Sequence, residues 1–178
     1  MPDLTLQRSV AVRPNTEIEF RRVTIGTTES ITPQRFTELT RPLIGLPVSY
    51  SWRGYGSAIF LEFGALRTTP EGRKRKGEAG VMLQWSWRVE TARAIRLGSW
   101  SGERRITTGV QALAGRAVVD LSVTGRLPEL VIALSGGLWV HSFMTAEGQP
   151  DWTVFLPDDS WIHVVRGRLV HNTQNVGA

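Results

Sequence analysis

Two stretches of this chain echo one another. Residues 43–63 read LIGLPVSYSWRGYGSAIFLEF, and residues 113–134 read LAGRAVVDLSVTGRLPELVIAL. In each, a glycine two places after a leucine (Gly45 or Gly115) opens a strand-like segment. A glycine-containing turn follows, then a dense apolar run that closes on Gly64 or Gly136. The copies lie about 70 residues apart, a spacing that fits duplication of a domain-sized unit and not a solenoid of short repeats. A chain written this way has to build its core from two similar halves.

The residues before each copy support the same reading. Thr32 and Pro33 have the chemistry of an N-cap and first helical position, and Phe36, Leu39 and Leu43 are spaced for one apolar stripe, but Pro42 interrupts it, so a short helix ending near Arg41 is expected. Seventy residues on, Ser101 or Gly102 opens a segment in which Ile106, Val110 and Leu113 fall at helical spacing. Thr107, Thr108 and Gly109 are poor helix formers and work against that second helix. After each helix, alternation and turn residues predict strands. In the first copy these are 47–53, 57–66, 80–90 and 94–97; in the second they are 116–124, 129–135, 138–143, 152–156 and 161–165. Trp87-Arg88-Val89 and Trp152-Thr153-Val154 occupy matching places. The expected fold is mainly β (a β-rich α+β class): two duplicated helix-plus-β-meander repeats forming an antiparallel sandwich or a partly closed barrel. Residues 1–31 would be N-terminal strands, with a charged strand over residues 17–25. Residues 32–100 are repeat 1 and 101–171 repeat 2, in one structural domain, and the polar end from residue 172 should fray.

Composition narrows the function classes. The 178 residues contain no cysteine, which removes disulfides, thiolate metal sites and cysteine nucleophiles. There is no basic start followed by an apolar segment and no apolar run long enough to span a bilayer, so a cytoplasmic protein is expected. The formal net charge is +5. Seventeen of the 21 basic residues and ten of the 16 acidic ones precede residue 106. The halves are therefore oppositely charged, which suits their packing together or a basic face offered to an acidic partner.

The candidate sites follow from that distribution. Arg67 and the run Arg73, Lys74, Arg75, Lys76 could contact phosphates or an acidic partner; a solvated loop tip is the plainer reading. Among the seven tryptophans, Trp100 and Trp161 sit in turn-like settings and are candidate partner contacts, as are Trp52 and Tyr55, which with Tyr50 and Arg53 could form an aromatic and basic patch suited to stacking on bases. Trp85 and Trp87, two apart in one expected strand, should share a buried face. His141 and His163, on strands that could be neighbours, lack the carboxylates or histidines at ligand spacing that a metal site needs. Glu62 interrupts the apolar run 59–63 and would need an arginine such as Arg53 or Arg88 if buried. Asp158-Asp159 reads as a tight turn. Gly54-Tyr55-Gly56 lacks the third glycine of a dinucleotide site, and in Gly98-Ser99-Trp100-Ser101-Gly102 a tryptophan stands where a nucleophile elbow has its serine. No catalytic residue, metal or cofactor is expected.

The L-x-G turns at Leu43 and Leu113, the Phe63-Gly64 pair, Trp87-Arg88-Val89 and the run DWTVFLPD at residues 151–158 together resemble an uncharacterised family of duplicated β-rich bacterial proteins similar to toxin-immunity proteins. The resemblance spans roughly residues 39–165 and carries no catalytic residues. It implies a non-enzymatic protein-binding scaffold, with neutralisation of a toxin as one role; separately, unpaired strand edges would allow a homodimer. A nucleic-acid binder using the basic loop 67–76, and an enzyme with a site near His141 and His163, are the alternatives.

Overall fold

The computed structural model describes residues 25–68, 75–145 and 151–174. The expected charged strand over residues 17–25 lies outside them but for its last residue. The first half runs β1 (Ile25–Ile31), α1 (Pro33–Thr40), β2 (Val48–Arg53), β3 (Ile59–Phe63), β4 (Arg67–Thr68), β5 (Arg75–Lys76), β6 (Ala79–Leu83), β7 (Trp87–Thr91) and β8 (Ala94–Gly98). The second runs α2 (Glu103–Gln111), β9 (Val118–Thr124), β10 (Glu129–Leu134), β11 (Leu138–Ser142), β12 (Trp152–Phe155), β13 (Trp161–Val165) and β14 (Arg168–Gln174). The fold is mainly β with two short helices. Its strands form antiparallel sheets of seven (β1-β14-β13-β12-β6-β3-β2) and five (β8-β7-β11-β10-β9), with β4 and β5 as a separate hairpin. Among the described residues neither sheet closes into a barrel.

Local chemistry explains the helices. The Thr32 hydroxyl accepts the Arg35 N–H at 3.2 Å, and Pro33 occupies the first turn; both satisfy or remove orphan donors. A 3-10 turn at Arg41–Leu43 ends α1. In α2 the Thr107 and Thr108 hydroxyls return to the Glu103 and Arg104 carbonyls, each at 3.0 Å. Gly109 has a packing reason, since a Cβ there would come within 2.9 Å of the Leu97 side chain on β8.

One core lies between the sheets. Ile59, Leu61 and Phe63 of β3 and Val81 and Leu83 of β6 belong to one buried cluster with Leu130, Ile132 and Val140 of the five-stranded sheet. Each helix packs on a strand of the other half, α1 on β9 and α2 on β2. Ser51 of β2, buried, donates to the Val110 carbonyl of α2 at 2.8 Å. Where the halves meet, the hydrogen bonds repeat at an offset of 70 residues. Gly45 N–H bonds Val118 O and Gly115 N–H bonds Val48 O, both at 2.8 Å; Val48 N–H bonds Arg116 O at 2.7 Å and Val118 N–H bonds Leu46 O at 2.9 Å. Gly45 (φ +88°) and Gly115 (φ +85°) both hold the left-handed conformation that glycine tolerates best.

The meanders β2-β3-β6 and β9-β10-β11 each stay in one sheet, and the chain then crosses to the other: β7 pairs with β11, and β12 with β6. This corrects the expectation of one strand over residues 80–90. The run breaks at residues 84–86, leaving Trp87 buried at 2% exposure and Trp85 59% exposed, so the two do not share a buried face. The end of the chain also departs from expectation. β14 adds to β13 and β1, with Asn172 only 4% exposed. The turn that starts it holds Arg166 at φ +50° and Gly167 at φ +72°, the left-handed region that glycine tolerates best.

Candidate functional site

Strand register places the side chains on the outer face of the seven-stranded sheet. Trp52, Phe60, Met82, Thr153, His163, Val170 and Ser30 are successive cross-strand partners in one row. Tyr50, Glu62, Gly80, Phe155, Trp161, Asn172 and Thr28 make the next. Six large apolar side chains therefore share this face: Tyr50, Trp52, Phe60, Met82, Phe155 and Trp161. Tyr50 is exposed and the other five half-buried against one another. Trp52 and Phe60 stack flat, with centroids 4.0 Å apart and planes 5° from parallel. Glu62 is also outward; its carboxylate accepts the Gly77 N–H at 2.9 Å, in place of the arginine partner that burial would have demanded. Burial lowers the His163 pKa from its ordinary value, which favours a neutral ring on this face. The ring lies 3.2 Å from the Asn172 side-chain amide.

The five-stranded sheet presents a different outer face. Arg88 lies against Glu90, His141 Nε2 lies 3.0 Å from Glu90, and Arg88 covers the Phe143 ring at 4.4 Å. Asp120, exposed, is in register with Ala133 of the same sheet. This face thus mixes paired charges with Trp139 and the exposed Ile95, which are in register with Glu90, whereas the face of the larger sheet is aromatic and nearly uncharged.

Of the expected contacts, Trp52 and Trp161 fall on the aromatic face, Trp161 as the first residue of β13 and not in a turn. Tyr55 (97% exposed) and Trp100 (96%) stand on turns away from it. His141 and His163 belong to different sheets and are not brought together. Arg67, Arg75 and Lys76 are exposed on the β4–β5 hairpin, Lys76 3.7 Å from Asp159, and Arg73 and Lys74 lie outside the described residues. Tyr50, expected beside Trp52, falls on this face too; Phe60, Met82 and Phe155 were not singled out, because their grouping depends on pairing between strands far apart in sequence.

A second cluster was also missed. The His171 ring lies 3.0 Å from Ser160 Oγ through Nε2 and 3.2 Å from Glu29 through Nδ1, and the Ser160 hydroxyl donates to Asp158. The order of groups is that of a serine–histidine–carboxylate relay. Ser160 is 2% exposed with its proton committed to Asp158, so the cluster ties the β12–β13 turn to β1 and offers no accessible nucleophile. No group of three metal-ligating side chains occurs among the described residues, and no helix there is long and apolar enough to cross a membrane. Compared with family models, with curated proteins and with solved structures, the chain matches none.

Proposed function

We propose that this protein is a binding scaffold that docks another protein on the outer face of its seven-stranded sheet. The contrast between the two outer faces carries the proposal. Aromatic residues and methionine are enriched, and charge depleted, at the cores of protein interfaces, and that is the composition of the face bearing Tyr50, Trp52, Phe60, Met82, Phe155 and Trp161. A nucleic-acid surface would add cations among its stacking aromatics to meet phosphates. The charged groups in the two rows described above reduce to Glu62. Toxin neutralisation, implied by the family resemblance, is one form that such docking takes. The hydrogen bonds repeated at an offset of 70 residues support reading the halves as copies of one ancestral unit closed into a two-layer sandwich.

A photo-crosslinking side chain placed at Phe60 or Trp161 in the native host tests the docking. A discrete protein adduct from these positions, missing when the probe sits at exposed Val119, is the expected result. Adducts that disappear on nuclease treatment would favour nucleic acid. Equal labelling from all three positions would remove the sheet face as the site.

A further inference from the structure

Residues 84–86, where the chain leaves one sheet for the other, are tied to residues 143, 145 and 151. Gln84 N–H bonds Asp151 O at 2.8 Å, Phe143 N–H bonds Ser86 O at 2.7 Å, and the Ser86 and Thr145 hydroxyls are 3.1 Å apart. Between these segments and the turn after β8 lies a cleft of about 380 Å³, within the roughly 300–1,000 Å³ usual for small-ligand sites. Trp85 and Trp100 line it, with Ser57, Ser86, Ser99, Thr145 and Asp151.

The two indoles are held in water by ordered backbone. Ser101 N–H bonds Gly98 O at 2.9 Å and Gly98 N–H bonds Ser101 Oγ at 3.1 Å, so Trp100 projects from a closed turn and not from slack chain. Ser57 Oγ donates to the Trp85 carbonyl at 3.2 Å, and the buried Trp87 indole donates to the Ser57 carbonyl at 2.7 Å. The hydroxyls keep capacity to spare. Ser57 has spent its proton but retains lone pairs. Among the described residues, one proton of the Ser86–Thr145 pair meets no acceptor, and Ser99 Oγ accepts from Trp87 N–H at 3.4 Å while its own proton meets none.

We propose that this cleft binds carbohydrate, taking one end of a glycan against the faces of Trp85 and Trp100. The C–H-rich face of a pyranose stacks on the electron-rich face of an indole. Its hydroxyls, each donor and acceptor, meet a lining in which Ser57 offers lone pairs, the Ser86–Thr145 pair one donor as well as acceptors, and Ser99 both functions. Asp151 supplies an acceptor for a pair of neighbouring sugar hydroxyls. A cation is the competing ligand for aromatics beside a carboxylate, but it can use only the acceptors of this lining.

The test is an array of immobilised glycans ending in neutral hexose, N-acetylhexosamine or uronic acid, probed with the full chain and with Trp100→Ala. Indole fluorescence is then titrated with the retained glycan and, separately, with choline. Because Trp100 is 96% exposed, its removal leaves the fold intact, which far-ultraviolet circular dichroism checks. The expected result is a defined set of glycans whose binding weakens at least about tenfold in Trp100→Ala and at least severalfold in Ser99→Ala. Val119→Ser, exposed on β9, should leave that binding unchanged. An array with no retained glycan, equal retention by Trp100→Ala, or a fluorescence response to choline and not to sugar overturns the proposal.

Discussion

Replacing Gly45 or Gly115 by alanine isolates the contribution of the joint between the halves. Neither position has any atom within 4 Å of a built Cβ, so the substitution adds no clash and removes no contact. The remaining cost is conformational. An L-residue held at φ near +88° or +85° loses roughly 1–2 kcal/mol relative to glycine, and the smaller unfolded-state entropy of alanine offsets roughly 0.4–1 kcal/mol of that. Each variant should therefore be destabilised by about 1 kcal/mol, and the two by similar amounts. With a urea m-value of about 2 kcal/mol/M, that is a fall of about 0.5 M in midpoint, measurable by tryptophan fluorescence. Asparagine, which visits the left-handed region more readily, should cost less at either site. The N–H groups of both glycines bond across the same joint, so the double variant should depart from additivity by at least about 0.5 kcal/mol. Single variants indistinguishable from the parent, or a large cost at one glycine and none at the other, would refute the reasoning and the equivalence of the two turns.

Three further outcomes follow from polar groups. Burial, and after it the Glu129 carboxylate, raises the Asp151 pKa. Between the ordinary and the raised value the folded state binds more protons than the unfolded chain, so stability falls as pH rises through that window. Asp151→Asn should then melt higher than the parent at pH 7 and converge with it below the ordinary aspartate range; equal melting at both pH values would count against this. At Asp158, burial acts upward but is outweighed by hydrogen bonds from the Ser160 hydroxyl and N–H, which hold the carboxyl below its ordinary value. Its contribution is present above the unfolded pKa and lost as pH falls through the lowered folded one. Ser160→Ala should therefore shrink the stability lost on acidification, as read by melting across pH 2–6. Ser51→Ala removes the bond to Val110 O, but that carbonyl keeps the Leu113 N–H at 3.0 Å. The loss in urea unfolding should therefore be about 1 kcal/mol and not the larger cost of a stranded group.

What could be read in advance was local. Thr32-Pro33 marked a helix start and Pro42 its end, and alternation at Ile59, Leu61 and Phe63 marked a half-buried strand, because each depends on neighbours a few residues away. The break at residues 84–86 was not legible. Apolar and polar residues alternate straight through it, and only pairing with β11 and β12 decides that β6 and β7 belong to different sheets. Trp85 was misplaced for the same reason. Glu62 carried an ambiguous signal: a carboxylate amid apolar residues fits an outward position or a buried pair equally well, and register chose the first. The aromatic face is a lateral feature assembled from strands more than a hundred residues apart, so alternation along one strand could not show it.

The exchange of strands accounts for the location of both candidate surfaces. Tyr50, Trp52, Phe60 and Met82 come from the first half, and Phe155 and Trp161 from the second; they adjoin only because β12 pairs with β6. The cleft depends on the same step, since its walls combine Trp85 and Trp100 with Thr145 and Asp151, and Gln84 N–H to Asp151 O fastens one crossover to the other. A meander without its exchanged partner would expose an edge of β6 or β11 and hold half of each surface. Residues 1–100 and 101–178, expressed apart, should bind neither a protein on the sheet face nor a glycan in the cleft, and mixing them should restore both together. Full activity at either surface from one half alone would mean that the exchange is a stabilising feature with no part in building the sites.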